Sequence, residues 1–260
     1  MTKDELFYGK YAAEYYDKLM SGEGEAGYLH TKDSYKKSAK ILFEHLRKYN
    51  PNGKRLLEVG CGTGNFCVEF AKLGLKVKGT DYSNDLLKSA KTKTHRNIIN
   101  YEFADMRDFE EKEPFDYLVC LFDTFRYNQS YKEVKQTLNC FYNSINKGGV
   151  LILDAHYTNP VVKERSVELP KIELSNGTTI QETVYGYTKG CQDIKRSVQK
   201  VYKKGKFIKN FNVKRLPRIR ISHLKMKRFL QESGFHKIRI LKGYDNKGKK
   251  EKIVVIAVKK

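Results

Sequence analysis

Residues 56–64 read Leu-Leu-Glu-Val-Gly-Cys-Gly-Thr-Gly, and Asp81 follows 21 positions after Gly60. The apolar residues at the start of this stretch predict a short strand, and the glycines after it allow the backbone to approach a ligand closely. A helical pattern begins at Asn65, and a second strand over residues 76–80 places Asp81 at its carboxyl end. In a doubly wound sheet, an acid at that position accepts hydrogen bonds from ribose hydroxyls. The stretch therefore predicts a site for a nucleoside cofactor.

Four further motifs follow the glycine turn in order. They lie at residues 79–90, 104–106, 115–120 and 147–152. Together with Glu-Val-Gly-Cys-Gly-Thr-Gly at residues 58–64, they resemble the motif set of class I methyltransferases that depend on S-adenosylmethionine (SAM). The resemblance covers residues 54–155 and implies SAM as the cofactor. The glycines alone would not separate a SAM site from a dinucleotide site.

Ten residues are predicted to contact SAM: Glu58, Gly60, Cys61, Gly62, Gly64, Asp81, Tyr82, Asp105, Met106 and Leu121. Glu58 would orient the glycine turn or the methionine end of SAM, or else cap the end of its strand. The family resemblance implies that Tyr82 packs on the adenine, that Asp105 binds its exocyclic amine and that Met106 covers a ring face. Asp105 could instead be a solvated loop acid or pair with Arg107.

Residues 121–127, Leu-Phe-Asp-Thr-Phe-Arg-Tyr, follow the fourth predicted strand, where acceptor and methyl donor meet in an open α/β sheet. They lack the N/D-P-P-Y/F motif of enzymes that methylate exocyclic amines of nucleic-acid bases, and the Pro-Cys nucleophile of cytosine C5 enzymes. Residues 105–109 and 120–123 instead resemble small-molecule N-methyltransferases that act on glycine-type amines and on amino sugars attached to nucleotides. The resemblance implies a small-molecule acceptor. This acceptor would attack the methyl group of SAM directly, so that no protein nucleophile is needed.

His156 and Tyr127 are the candidate catalytic residues. His156 lies just past the fifth predicted strand, and histidine titrates near working pH, which suits a general base. An amine could also lose its proton to water, in which case His156 would only line the pocket. Tyr127, Arg126 and Asp123 are equally plausible as substrate contacts and as packing or surface residues.

The predicted fold class is α/β, with a doubly wound, Rossmann-like, seven-stranded and mostly parallel sheet and an inserted antiparallel β cap. Alternating apolar residues between 167 and 221, with turn signals at Asn176-Gly177 and at residues 204–206, predict the cap as a β-meander. Two final strands follow it. The expected domains are an N-terminal helical lid (1–50), a SAM-binding core (51–155), the inserted cap (156–221) and a C-terminal part of the core (222–260).

Apolar spacing predicts the helices. In the lid, Tyr8, Tyr11 and Tyr15 would share one helix face, either for packing or to face a substrate. The other predicted helices carry Tyr35, Ala39, Leu42, Leu46 and Tyr49; Val134, Leu138, Phe141 and Ile145; and, over residues 222–233, Leu224, Phe229 and Leu230.

Composition limits the class of protein. Hydrophobic residues make up 40% of the chain, which is enough for a folded core, and no apolar run approaches the length of a membrane span. The N-terminus lacks the basic segment followed by an apolar segment that is typical of a signal peptide. The five cysteines are odd in number and contain no C-x-x-C pair, which favours buried, reduced thiols over disulfides or a metal site. We therefore expect a cytoplasmic monomer or homodimer with no metal and no membrane partner.

The formal net charge of +21 has two interpretations. Between residues 194 and 231 there are fourteen Lys or Arg and no Asp or Glu. This basic stretch could bind RNA phosphates, or it could lie on a solvated face, which the spread of lysines through the rest of the chain favours. Three functions follow: the preferred small-molecule methyltransferase, an RNA methyltransferase that docks through residues 194–231, and a non-catalytic SAM-binding regulatory protein.

Overall fold

The computed structural model describes residues 12–21, 32–93, 99–156, 160–245 and 252–260. The helices in these ranges are α1 (Ala12–Ser21), α2 (Lys32–Tyr49), α3 (Asn65–Lys72), α4 (Asn84–Thr92), α5 (Tyr131–Asn143) and α6 (His223–Glu232), with a 3₁₀ turn at Thr124–Tyr127. The strands are β1 (Arg55–Val59), β2 (Lys76–Asp81), β3 (Ile99–Phe103), β4 (Phe115–Cys120), β5 (Ile145–His156), β6 (Arg165–Glu168), β7 (Ile172–Glu173), β8 (Thr178–Lys189), β9 (Gln192–Lys203), β10 (Lys206–Lys214), β11 (Arg218–Ile219), β12 (Phe235–Lys242) and β13 (Lys252–Lys259).

Contacts divide the chain into two compact units. The smaller unit contains Met1–Ser34 and Asn159–Arg218, and the larger contains Tyr35–Thr158 and Ile219–Lys260. This division differs from the expected lid of residues 1–50, because α2 lies almost entirely in the larger unit. The side chains on its apolar face are buried there with residues of β1 and α3.

The larger unit is built on a seven-stranded sheet in the order β12-β13-β5-β4-β1-β2-β3. The strands from β5 to β3 are parallel, whereas β13 is antiparallel to both β5 and β12. The predicted mostly parallel, doubly wound sheet is therefore confirmed. Because β1 lies between β2 and β4, the carboxyl ends of these three strands open onto the same edge of the sheet.

The burial of β1 matches its position as an interior strand of the sheet. Its residues from 56 to 59 are almost fully buried, as expected for a strand with both faces covered. Leu42 and Leu46 from α2 and Phe66 and Phe70 from α3 share one apolar core with Leu56. The amphipathic patterns of the two helices thus bury their apolar faces against the glycine-turn strand.

The smaller unit contains an antiparallel sheet in the order β10-β9-β8-β6, with β7 paired to β8. This confirms the inserted antiparallel β structure. Tyr15 of α1 is buried with Ile172, Leu174 and Ile180, and its hydroxyl donates to Glu182 at 2.9 Å. Packing is thus the observed role of Tyr15. The other two tyrosines of the predicted cluster, at positions 8 and 11, lie outside the described residues.

Two apolar residues depart from the predicted helix patterns. Leu224 is 84% exposed, because α6 buries the face formed by Met226, Phe229 and Leu230, and a residue two positions before Met226 points away from that face. Ile145 begins β5 instead of extending α5, which ends at Asn143 with Ser144 as its C-cap.

Two further expectations concern thiols and membrane segments. Cys61, Cys67 and Cys120 are buried, Cys140 and Cys191 are half-buried, and all five are free thiols. Within the described ranges, no helix combines the length and the apolar character that crossing a bilayer requires.

Replacing Leu42 tests the placement of α2. We expect Leu42→Ala to lower the free energy of unfolding by about 2–5 kcal/mol, because a fully buried side chain leaves a cavity in the core. Urea unfolding followed by circular dichroism measures the change. Lys40→Ala, at an exposed position of the same helix, is the matched control and should change stability by less than about 0.5 kcal/mol. Equal losses in the two variants would contradict this packing of α2.

Candidate functional site

The glycine turn after β1 is held to the end of β2 by backbone hydrogen bonds. The amides of Gly60 and Cys61 both donate to the carbonyl oxygen of Thr80, at 2.7 and 2.9 Å. Gly60 has φ of 73°, in the left-handed region, and a Cβ on it would lie 2.1 Å from Cγ2 of Thr124. Only glycine therefore lets the loop after β4 pack directly on the turn.

Asp81 closes this turn from the end of β2. Its Oδ2 accepts a hydrogen bond from the amide of Gly62 at 2.8 Å, and its Oδ1 accepts one from the amide of Ser83 at 2.8 Å. Burial raises the pKa of the Asp81 carboxyl above its usual value, although these amide donors oppose the shift. A carboxylate offers about four acceptor positions, so Asp81 can hold the turn and still accept from ribose hydroxyls.

Glu58 lies beneath the turn and is only 3% exposed. Its Oε2 accepts a hydrogen bond from the thiol of Cys67 on α3 at 2.9 Å. Burial raises the pKa of Glu58 to about 8. Glu58 thus joins β1 to α3 under the glycines. Cys61 is buried in the same place, since a Cβ on Gly79 would meet the sulfurs of both Cys61 and Cys67 within 3 Å.

An exposed aromatic pair lies beside Asp81. Tyr82 is 65% exposed and Phe103, at the end of β3, is 48% exposed, with their ring centroids 5.2 Å apart. Large apolar rings at the carboxyl edge of a parallel sheet offer a surface on which a planar base can stack. Phe103 was not singled out in the sequence, although its position at the end of a strand beside Asp81 is the signal that could have identified it.

Asp105 is engaged by a neighbouring arginine. Its Oδ1 accepts from Nε of Arg107 at 2.8 Å and its Oδ2 from Nη2 at 2.6 Å, in a bidentate pair, and Arg107 also contacts Glu133 at 3.1 Å. These hydrogen bonds with Arg107 lower the pKa of the Asp105 carboxyl. Of the alternatives for Asp105, the structure contains the pair with Arg107. Met106 is half-buried next to it, and Leu121, after β4, is buried.

His156 ends β5 and contacts Asp123 from the loop after β4. Nδ1 of the imidazole lies 2.9 Å from Oδ1 of Asp123, and the backbone amide of His156 donates to the same oxygen at 2.6 Å. The imidazole is 36% exposed, whereas the Asp123 side chain is 10% exposed. The structure thus brings together a half-buried histidine and a buried acid at the carboxyl ends of two adjacent strands. Tyr127, the other candidate, ends the 3₁₀ turn and is half-buried.

A buried polar network extends from this pair. Nη1 of Arg126 lies 3.3 Å from Oδ2 of Asp123, and its Nε donates to the carbonyl oxygen of Ile219 at 3.0 Å. Asp154, which is fully buried, accepts from the amide of Asp123 at 2.9 Å and from the hydroxyl of Tyr244 at 2.5 Å. Asp154 and Tyr244 were missed in the sequence. The available signal was the spacing of two residues between Asp154 and His156, which places both on one face of β5.

Glu58 gives the stability of the protein a pH dependence. A carboxyl whose pKa is higher in the folded state stabilises the fold below its unfolded pKa, and that contribution is lost as the pH rises toward the folded value. For Glu58 this window runs from about 4.5 to about 8. We expect the stability of Glu58→Gln relative to wild type to increase with pH, by on the order of 3 kcal/mol between pH 5 and 8.

Urea unfolding at several pH values measures this difference. Glu44→Gln, at an exposed position of α2, is the control, and its stability relative to wild type should stay nearly constant over the same range. A constant difference for Glu58→Gln as well would contradict the buried position of this carboxyl.

The part of the chain that carries the glycine turn is similar to a known type of domain. The sequence profile described as "Methyltransferase domain" matches residues 56–149. These residues run from β1 into β5 and include the glycine turn, Asp81 and the loop after β4.

Two curated relatives align beyond this segment. A protein of Geobacillus sp. (strain WCH70), which its name proposes to be a methyltransferase, is 34% identical over 149 residues, covering 56% of each chain. The dTDP-3-amino-3,6-dideoxy-alpha-D-glucopyranose N,N-dimethyltransferase of Streptomyces fradiae is 25% identical over 183 residues, covering 68% of this chain and 66% of that enzyme. The chain thus spans between about half and two thirds of the length of these two relatives.

A solved structure extends the similarity to the whole fold. SAM-bound CalS10, an amino pentose methyltransferase from Micromonospora echinaspora, superposes with a TM-score of 0.74 over the full length of both chains at 18% identity. At this identity the likeness shows the fold alone. The matched profile shows that residues 56–149 are similar to a methyltransferase domain, and the solved structure shows that the fold is shared.

Proposed function

We propose that this protein transfers the methyl group of SAM to an amine of a small molecule, with a nucleotide-linked amino sugar as the favoured acceptor class. One observation carries the proposal: the loop that holds Asp123 packs on Gly60 through Thr124, so the Asp123–His156 pair lies one loop away from the glycine turn. A site for a nucleoside cofactor and a proton-accepting group therefore share one edge of the sheet.

The residues at the turn fit SAM. Asp81 keeps acceptor capacity for ribose hydroxyls, and Gly60, Gly62 and Gly64 leave the backbone open to close approach. Tyr82 and Phe103 offer rings for the adenine. Asp105 is paired with Arg107. To bind the exocyclic amine of the adenine, Asp105 would have to accept a further hydrogen bond or separate from Arg107. When bound, SAM supplies a methyl group already attached to a good leaving group.

The chain's own contribution is then alignment of the acceptor and removal of a proton. An aliphatic amine is mostly protonated at neutral pH, and a protonated nitrogen has no lone pair with which to attack. His156 is placed to accept that proton as a general base, and its exposure allows the proton to pass on to water. Tyr127, at the end of the loop that holds Asp123, remains a candidate substrate contact.

The acceptor class rests on two supports. The loop after β4 resembles that of small-molecule N-methyltransferases, and the Streptomyces fradiae relative is named for a dTDP-linked amino sugar. The RNA alternative stays open because lysines of the basic stretch 194–231 are exposed on β9, β10 and the turn between them, including Lys200, Lys203, Lys204 and Lys206. The regulatory alternative would keep SAM binding without any transfer.

Replacing Asp81 tests the cofactor site. We expect Asp81→Ala to weaken SAM binding about 10- to 100-fold, because hydrogen bonds to a charged group contribute about 1.5–3 kcal/mol. Isothermal titration calorimetry measures the affinity, and circular dichroism confirms that the fold is kept. Asp85→Ala removes an exposed acid from the first turn of α4 and should leave binding within about threefold of wild type. Unchanged affinity in Asp81→Ala would exclude this site assignment.

Transfer of labelled methyl tests the acceptor class. We expect methylation of dTDP-3-amino-3,6-dideoxy-alpha-D-glucopyranose and none of the matched sugar nucleotide that carries a hydroxyl in place of the amine. Glycine and total RNA are run in parallel, with product mass measured by mass spectrometry. Methylation of RNA alone, losing efficiency steeply as salt is raised, would replace the proposal with the RNA alternative. SAM binding without transfer to any amine would favour the regulatory alternative.

A further inference from the structure

The side chain of Asp123 contacts one ring nitrogen of His156, its Nδ1. An ionised carboxylate only accepts hydrogen bonds, and Oδ1 of Asp123 lies 2.9 Å from Nδ1 of His156. With Asp123 ionised, as the Arg126 guanidinium 3.3 Å from its Oδ2 favours, Nδ1 is the donor. In the neutral ring this leaves Nε2 unprotonated, with a lone pair that can accept a proton.

Asp123 is itself fixed from three directions. Arg126 lies 3.3 Å from its Oδ2, the backbone amide of His156 donates to its Oδ1, and its own amide donates to Asp154. Asp154 also receives the hydroxyl of Tyr244, and burial next to Asp154 raises the pKa of that hydroxyl well above its usual value, so Tyr244 stays a donor. Protein groups thus hold Asp123 in the position where it contacts His156.

The backbone at Asp123 is also unusual. Phe122 and Asp123 are consecutive non-glycine residues with φ of 56° and 64°, in the left-handed region. Such conformations persist where the surroundings over-determine them, and they concentrate at functional sites. Here the left-handed turn directs the Asp123 side chain back toward the end of β5, where His156 lies.

We propose that Asp123, Asp154, Tyr244 and Arg126 form a positioning network that holds His156 with Nδ1 protonated and Nε2 ready to deprotonate an ammonium acceptor. The proposal rests on the methyltransferase function proposed above and names the protonation state of its acceptor. Nε2 takes one proton from the R–NH₃⁺ group and becomes N–H, and the electron pair of the broken N–H bond stays on nitrogen. That pair then forms the bond to the donor methyl carbon, and the electrons of the broken carbon–sulfur bond remain on sulfur. His156 returns its proton to water.

The tautomer of His156 can be measured without any acceptor. Long-range ¹H–¹⁵N correlation spectra of the ¹⁵N-histidine-labelled protein at pH 9 distinguish protonated from unprotonated ring nitrogens, and His156→Gln identifies the signals of His156 by their loss. We expect a protonated Nδ1 and an unprotonated Nε2 in wild type. In Asp123→Gly, where glycine accepts the left-handed backbone without strain, this preference should be lost. A protonated Nε2 in wild type, or an unchanged tautomer in Asp123→Gly, would overturn the proposal.

Kinetics with dTDP-3-amino-3,6-dideoxy-alpha-D-glucopyranose test the proton step. At pH 7 we expect His156→Gln and Asp123→Gly to lower kcat by about 10²-fold or more, as is usual for loss of a general base, with SAM affinity within about threefold of wild type. Near pH 10 the amine is unprotonated without help, so the loss should shrink to less than about tenfold. A loss that is equal at both pH values would assign these residues a purely structural role.

Two further variants separate positioning from folding. Tyr244→Phe removes only the hydroxyl that contacts Asp154, and we expect a smaller loss, about 3- to 10-fold in kcat, with KM for the amino sugar nearly unchanged. Asp85→Asn, on the exposed face of α4, should leave kcat and the His156 signals as in wild type. If wild type does not methylate the probe, the acceptor class fails, while the tautomer experiment still decides the positioning network by itself.

Discussion

The carbonyl oxygen of Thr80 accepts two hydrogen bonds, from the amides of Gly60 and Cys61, and the rest of the site depends on this junction. It ties the end of β2 to the turn after β1, so that Asp81 can reach the amide of Gly62. Parallel pairing makes the junction possible, because it brings the carboxyl ends of neighbouring strands to one edge. Both the glycine turn and the acid that closes it are consequences of the register between β1 and β2.

Each unit also buries acidic side chains, whose oxygens need hydrogen-bond donors or a positive charge nearby. In the larger unit, Asp154 receives an amide and a tyrosine hydroxyl, and Glu58 receives a thiol. In the smaller unit, Glu182 receives the hydroxyl of Tyr15 and pairs with Arg215 at 2.7 Å. Buried ion pairs contribute little net stability after desolvation, but removing one partner destabilises strongly. Removing either partner of the Glu182–Arg215 pair would therefore destabilise the smaller unit more than the intact pair stabilises it.

The sequence predicted the parts of the structure that local patterns encode. The strand around Leu56, the glycine turn, Asp81 and the face of α2 follow from apolar periodicity and turn chemistry within short windows. The network around Asp123 could not be predicted in the same way, because all its contacts except that between Arg126 and Asp123 join residues 31 to 93 positions apart. Nor does the residue type at Phe122 signal a left-handed backbone, which is usual only for glycine, asparagine and aspartate.

The location of backbone strain separates the demands of the fold from those of the Asp123–His156 contact. Left-handed backbone costs roughly 1–3 kcal/mol at a residue such as Phe122 and less at aspartate, and a loop after a parallel strand has no topological need for it. At the glycine turn, the same conformation is adopted by Gly60 and Gly64 at little cost. At Phe122 and Asp123, the cost is accepted by residues whose side chains are needed, Phe122 packing on the core and Asp123 facing His156. The contact between Asp123 and His156 accounts for a carboxylate at a position where glycine would adopt the left-handed backbone without strain.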